Sequence, residues 1–420
     1  MNIAKFSKEV SYMPVSLKDS RGNSVLQLVT SDRKLIDPED MDVELSDSFN
    51  YFRFTDDRWP KESIEAYLST KKEPHLLNVV DKVRALVMEL LDIEERFSLF
   101  IALWIVGTYF FLRFDSFPYI SANGERDSGK TTLMETIGGL VPYQLLTLNA
   151  TPAGIFHVSE NLPATLLLDE TESFDREILS LINSGYKKGG FVLRAGGKTY
   201  NTYSPKVMGA INTVPAATRS RCVEIQMLRA KRSNLPLVSS RHADMAKIRG
   251  KLFRFALISS HKVESIYQKI QMPVFAKNRA AEIVRPLASI AEYIDNKYGS
   301  TLKDELYDFF EHYFSKIEKV SDEVFYTINL ISEELGDEPF VKINPALLAK
   351  KLSMRIGGDV TPTAAGSLLT RLGFTKKRTA KKRYYFVTRD SIEELKIRYQ
   401  LPSQVSHNDT CDTQKGGVRV

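Results

Sequence analysis

At 420 residues the chain is too long for one ordinary hydrophobic core and is expected to hold two or three domains. Its net charge of +6, from 58 basic and 52 acidic side chains, gives no strong nucleic-acid signal in total, so what matters is where the charge lies. The two cysteines, Cys222 and Cys411, stand far apart, which excludes a disulfide framework or a metal site by spacing and makes a reducing cytoplasm the simplest setting.

Residues 1–72 mix short alternating strands (SVLQLVT, FNYFRF) with acidic turns such as Asp37-Pro38-Glu39-Asp40, and they carry no functional signature. Lys5 and Lys8 have no apolar stretch behind them, so no secretory signal is expected. From Glu73 to Phe114 the pattern is helical. Within it, FSLFIALWIVGTYFFLRF (Phe97–Phe114) invites a membrane reading, but its unbroken apolar part falls short of the ~20 residues of a spanning helix. Arg113 and Asp115 close it off, and a helix buried against a sheet is expected instead, with no membrane partner.

Phe117–Ala122 (FPYISA) then reads as a short buried strand. It leads into Gly124-Glu125-Arg126-Asp127-Ser128-Gly129-Lys130-Thr131, which fits G-x-x-x-x-G-K-[ST], and TTLMETIGGL starts a helix. Glycines in such a loop let backbone N–H groups curl around phosphate, and the helix N-terminus adds attraction for the anion. Asp127, Ser128, Gly129 and Thr132 belong to this cradle. Lys130 reaches the outer phosphates and Thr131 reaches Mg²⁺. Thr165–Glu170 (TLLLDE) is an apolar run ending in two carboxylates, as a parallel strand buried on both faces should be. Such a pair alone is an ordinary helix N-cap. Downstream of a Gly-Lys-Thr loop, Asp169 is expected in the metal shell and Glu170 on the attacking water.

Phe191-Val192-Leu193-Arg194 and Tyr200-Asn201-Thr202-Tyr203 read as a hairpin around Ala195-Gly196-Gly197-Lys198-Thr199, with Lys198 near the tip and Arg194, Lys187 and Lys188 adding charge nearby. Lys206–Asn212 (KVMGAIN) is another strand-like run. Arg219 and Arg221 follow, just before the strand-like CVEIQM, and Arg279 opens a helix after Asn278.

These blocks resemble a known family. Strand-Asn followed by Ser-Arg before the next strand resembles the sensor-1 Asn and arginine finger of AAA+ ATPases, in the branch with superfamily 3 and minichromosome-maintenance helicases. More closely, TLLLDET, LINSGYKKGGFVLR, YSPKVMGAI, TRSRCVEI and NRAAEIVRPLASIAEYI are similar to the helicase-like ATPase domain of phage, plasmid and staphylococcal-cassette replication proteins, over roughly Phe97 to Asp295. The resemblance implies that Asn212 touches the γ-phosphate or lytic water. It implies that Arg221, with Arg219 as competitor, stabilises transition-state charge in a neighbouring subunit's site, a role worth roughly 10³ to 10⁵ in rate. Arg279 would be the sensor-2 arginine. The hairpin would project into a central channel and grip nucleic-acid phosphates through Lys198.

Asn234–Ile270 is largely helical and is expected to be the helical lid, and a helical stretch from Leu302 to Leu335 follows it. Pro345–Leu352 and Thr363–Leu372 read as amphipathic helices, Phe374–Lys377 and Tyr384–Thr388 as strands. Lys376-Lys377-Arg378 and Lys381-Lys382-Arg383 form a basic cluster with Tyr384-Tyr385-Phe386 beside it. Helix, helix, strand, basic turn, strand is the order of a winged helix, whose second helix and wing contact DNA. The polar tail from Ser403 reads as disordered.

The expected architecture is thus α/β: an AAA+ core with a parallel sheet and a helical lid, a C-terminal winged helix and a small N-terminal α+β region. The expected boundaries are 1–72, 73–233, 234–335, 336–402 and 403–420. The expected function is an ATP- and Mg²⁺-dependent DNA helicase of a mobile genetic element, cytoplasmic and assembled as a ring, most simply a hexamer. It would act on single-stranded and forked DNA beside a primase, polymerase or initiator. An ATP-switched initiator or loader without processive unwinding is the rival, and a remodeller of other substrates the third reading.

Overall fold

The computed structural model describes residues 12–37, 58–70, 73–147, 151–194, 197–211, 214–317, 322–356, 359–378 and 383–399. The expected FNYFRF strand and the polar tail lie outside them. The chain splits into two compact units, Met1–Tyr313 and Phe314–Val420.

The first unit opens with an antiparallel sheet, β1 (Tyr12–Lys18), β2 (Ser24–Thr30) and β3 (Leu35–Ile36), in that order. Helix α1 (Lys61–Ser69) ties back to it, because Tyr67 Oη donates to Thr30 O at 2.9 Å. Helix α2 (Leu76–Leu90) buries Leu76, Val79, Val80, Val83, Leu86, Val87 and Leu90, an apolar stripe at helical spacing. In α3 (Arg96–Gly107) every residue from Phe97 on is buried, so an all-round apolar helix serves as core. Among the described residues no helix is long and apolar enough to cross a membrane.

Next come β4 (Tyr119–Asn123), α4 (Lys130–Leu140), β5 (Gln144–Thr147), α5 (Pro152–Asn161), β6 (Thr165–Leu168), α6 (Arg176–Ser184), β7 (Phe191–Leu193), β8 (Thr199–Asn201), β9 (Lys206–Ala210), α7 (Ala216–Arg219) and β10 (Cys222–Gln226). Five of these strands form one sheet, ordered β10-β4-β9-β6-β5, with every pairing parallel. The mixed α/β arrangement is that of a P-loop-like core. β4, β6 and β9 are buried at every position, which is why none of them sets an exposed polar face against a buried apolar one. Parallel strands send their C-terminal ends to one edge, and in open α/β sheets ligands bind there. Antiparallel β7 and β8 form the expected hairpin outside this sheet, one residue earlier on its second strand than the sequence suggests.

Helices α8 (His242–Lys269) and α9 (Arg279–Tyr298) follow, and the first unit ends at Tyr313 within α10 (Leu302–Ile317). α8 packs directly on α4. A Cβ at Gly139 would stand 2.2 Å from Met245 Sδ, so a larger residue there requires the Met245 side chain to move. Arg249 of α8 and Arg58 donate to carbonyls at the C-terminal end of α4, Arg249 Nη1 to Gly139 O at 2.5 Å and Arg58 Nε to Pro142 O at 3.1 Å. Guanidinium groups there satisfy orphan carbonyls and oppose the negative end of the helix dipole.

The second unit holds α11 (Asp322–Leu335), β11 (Phe340–Ile343), α12 (Pro345–Ile356), α13 (Pro362–Arg371), β12 (Thr375–Arg378), β13 (Arg383–Thr388) and α14 (Arg389–Arg398). Its antiparallel sheet runs β11-β13-β12. Ile328, Ile331, Leu352, Ala365, Leu369, Val387 and Ile392 meet in one core. The helix, helix, strand, strand order read from the sequence is present, and β11 and α14 are additions to it.

Candidate functional site

β4 delivers the chain to the C-terminal edge of the sheet at Asn123, where a turn must be made at once. Gly124 N donates to Ala210 O at 3.1 Å, and a Cβ on Gly124 would lie 2.2 Å from Met227 O, so the loop begins pressed between β9 and the segment after β10. Asp127 (φ 63°) and Gly129 (φ 89°) are left-handed, and they curl the backbone so that α4 starts at Lys130. Lys130 Nζ donates to Gly124 O and Glu125 O, both at 2.7 Å, which folds the ammonium over its own loop.

Asp127, Ser128, Gly129, Lys130, Thr131 and Thr132 help line a cavity of about 360 Å³. Ser128 is 5% exposed and its Oγ has no hydrogen-bond partner, an orphaned buried hydroxyl in the middle of the loop. The rest of the lining is mostly apolar: Leu90 and Leu91 with Asp92 at the end of α2, and Met227, Leu228, Ala230 and Leu235 after β10.

β6 ends in the same place. Thr131 Oγ1 donates to Asp169 Oδ2 at 3.1 Å, while Asp169 Oδ1 accepts from the N–H of Glu170 at 2.9 Å. Asp169 is buried, and Gly209 makes room for it, since a Cβ there would come within 2.7 Å of Oδ1. Glu170 is exposed and left-handed (φ 52°), a backbone state unusual for its residue type and frequent where function fixes the geometry. Asn212 lies outside the described residues.

The arginines are elsewhere. Tyr119 N donates to Arg221 O at 2.9 Å, which puts Arg221 beside the first residue of β4, a strand length of about 13 Å from the nucleotide loop of its own chain. Its guanidinium donates to Ala217 O and lies 5.8 Å from the Tyr186 ring centre. Arg279 sits over the same ring at 4.7 Å and pairs with Glu282. Neither lines the cavity. Arg219 Nε stands 3.6 Å from Glu224 Oε1, which also accepts from Asn123 Nδ2 at 3.1 Å.

On the hairpin, Arg194 N donates to Lys198 O at 2.8 Å and leaves Lys198 exposed. Arg194 itself points back, 2.5 Å from Glu177 of α6 and 4.9 Å from the Phe156 ring centre, so it anchors the hairpin. Phe191 and Leu193 are exposed on it. In the second unit Lys377 Nζ is 4.8 Å from the Phe386 ring centre. Arg378 and Arg383 are backbone partners at the open end of β12 and β13, and Lys381 and Lys382 lie outside the described residues.

Two features escaped the sequence reading. Asp92 accepts from backbone N–H groups of residues 139 and 140 positions away, a relation that no local pattern announces. Lys206, 0% exposed at the start of β9, donates from Nζ to Thr202 O, Ser204 O and Ser204 Oγ at 3.1, 3.0 and 2.9 Å, and lies 4.9 Å from the Tyr119 ring centre. Burial pushes its pKa down to about 7.

No protein-family model matches this chain, and no curated protein matches it. Among solved structures it is similar to SCCmec type IV Cch, described as an active helicase, at 13% identity and a TM-score of 0.44, covering 78% of this chain and 71% of that one. It is also similar to two A-form apo structures of the NrS-1 C-terminal region, each at 12% identity and covering 76% of both chains, with TM-scores of 0.35 and 0.36.

Proposed function

We propose that this chain is an ATPase of the AAA+ helicase-like branch, using Mg²⁺-bound ATP to move along DNA. The observation that carries the reading is the meeting of Thr131 and Asp169 at 3.1 Å behind a left-handed Gly129, on the rim of a 360 Å³ cavity. The residues fit the ligand. The orphaned Ser128 hydroxyl, the loop N–H groups and Lys130 are donors for phosphate oxygens. Among the described residues no group of three or more His, Cys, Asp or Glu forms a closed metal cage. One hydroxyl and one carboxylate suit Mg²⁺, which keeps several waters and shares phosphate ligands. When bound, Mg²⁺ supplies charge neutralisation at the phosphates.

In this reading Lys130 leaves the carbonyls of Gly124 and Glu125 for the outer phosphates. Asp169 holds the metal shell, and Glu170, exposed beside it, orients and deprotonates water, with Asn212 beside the γ-phosphate. Arg221, at the other end of β4, serves the site of a second copy, with Arg219 as the competing finger and Arg279 beside it on Tyr186. The ring assembly, most simply a hexamer, follows from that division of labour. Exposed Lys198 contacts the phosphates of single-stranded DNA. The second unit acts as a winged helix in which Lys377, Arg378, Lys381, Lys382 and Arg383 face duplex DNA, and the cellular role is replication of a mobile element in the cytoplasm.

A forked-duplex displacement assay tests this function. ATP-dependent strand separation by the wild type, absent in Glu170→Gln, supports it. ATP hydrolysis and DNA binding without separation would favour the initiator or loader instead.

A further inference from the structure

The apolar residues of the cavity lining come from two segments far apart in the chain. Leu90 and Leu91 close α2, whereas Met227, Leu228 and Leu235 belong to the irregular segment after β10. Leu228 is 68% exposed although it lines the cavity, whereas Leu90, Leu91 and Met227 are buried. Polar contacts also hold the segment. Asp92 Oδ2 accepts the backbone N–H groups of Lys231 at 2.6 Å and Arg232 at 3.1 Å. Arg232 reaches back, its Nη2 donating to Met88 O at 2.9 Å and to Leu91 O, two terminal carbonyls of α2. Its Nε stands 3.7 Å from Asp92 Oδ1, and Arg241 pairs with Glu89 one turn earlier. The N–H groups of Arg232 and Lys231 hold the Asp92 carboxyl below its ordinary pKa, so the charged, accepting form persists at neutral pH.

We propose that Asp92 and Arg232 form a strap that holds the Met227–Leu235 segment over Leu90 and Leu91, shaping a slot for the nucleobase, and that Asp92 is therefore a positioning residue for the base and not for the phosphates. The proposal rests on the reading of this cavity as a nucleoside triphosphate site. The composition of the lining supports it: beside the loop donors stand Leu90, Leu91, Leu228 and Leu235, with Met227 packed against the loop itself, its Cε 3.6 Å from the Cβ position of Gly129. A flat aromatic base covers the exposed face of Leu228, as apolar burial favours. Asp92 lines the cavity beside Leu91, but its oxygens are engaged by Lys231 and Arg232, so its effect on the ligand passes through the position of the leucines.

Calorimetric titration with Mg-ATP and with inorganic triphosphate separates contacts to the base from contacts to the phosphates. Asp92→Ala is expected to weaken ATP roughly tenfold or more, the scale of losing hydrogen bonds to a charged acceptor, and to leave inorganic triphosphate unchanged. Asp92→Asn, whose amide oxygen still accepts, recovers part of the loss. Leu228→Ser, at a surface position that does not threaten folding, weakens ATP alone. Lys130→Ala weakens both ligands. Unchanged ATP affinity in Asp92→Ala and Leu228→Ser, or equal losses for ATP and triphosphate in both, overturns the strap while leaving the site reading intact. A wild type that binds neither ligand overturns the site reading itself, and the strap with it.

Discussion

Thr131 Oγ1 donates to Asp169 Oδ2 at 3.1 Å, although the two residues are 38 positions apart and follow different strands. One stands in the first turn of α4, after β4, and the other directly after β6, with β9 between these strands in the sheet. The contact exists because parallel strands bring their C-terminal ends to a common edge. Substituting Asp169 with Ala is therefore expected to lower ATP turnover roughly 10²-fold or more through loss of the metal shell. Steady-state hydrolysis against Mg²⁺ concentration checks this. A wild-type rate and Mg²⁺ dependence would remove Asp169 from the site.

Glu170 is exposed, left-handed and adjacent to Asp169. Glu170→Gln keeps the shape and removes the base, so ATP affinity should persist while turnover falls by about 10² to 10⁴. Single-turnover hydrolysis beside a binding titration distinguishes the two effects. Normal turnover would mean that another group activates the water.

Lys198 stands exposed on a hairpin whose neighbouring arginine is engaged by Glu177. Lys198→Ala is expected to leave basal ATPase unchanged and to abolish stimulation by single-stranded DNA, with a shallower salt dependence of binding because one phosphate contact is lost. Fluorescence anisotropy over a salt series reads the slope. Unaltered DNA stimulation and slope would take the hairpin out of the mechanism.

Lys206 gives a pH prediction away from the nucleotide. Its pKa falls from 10.5 to about 7 on burial. Between those values the unfolded chain holds a proton that the folded chain has released, so stability rises with pH across that window and is flat in this group below it. Each unit is worth up to about 1.4 kcal/mol. Urea unfolding of wild type and Lys206→Met should therefore show the difference moving in favour of wild type as pH rises from about 7 toward 10.5. A difference independent of pH would mean that the three oxygens around Nζ keep the ammonium charged.

Much of the core was legible because β4, β6 and β9 are buried on both faces and so lack an exposed polar face, TLLL of β6 most plainly. β5 escaped because QLLT is a half-exposed edge strand too short to show a pattern. The loop and Asp169 could be read from local spacing, as each sits at a strand end. Asp92 could not, for its partners are backbone N–H groups on a segment with no secondary structure. Arg194 read as a free basic residue by its place on the hairpin, yet Glu177 on α6 claims it. Sequence proximity gives a charge its neighbourhood, and only the packed helix supplies the counter-ion.

The central claim is that one chain holds the nucleotide loop while Arg221, at the opposite end of β4, completes the site of another. Mixing tests it most directly. Lys130→Ala and Arg221→Ala should each be nearly inactive alone, and combining them should restore ATP hydrolysis, because interfaces then form that pair an intact loop with an intact arginine. Turnover by Arg221→Ala alone at the wild-type rate, or a wild-type rate per chain that stays constant on dilution, would contradict the account.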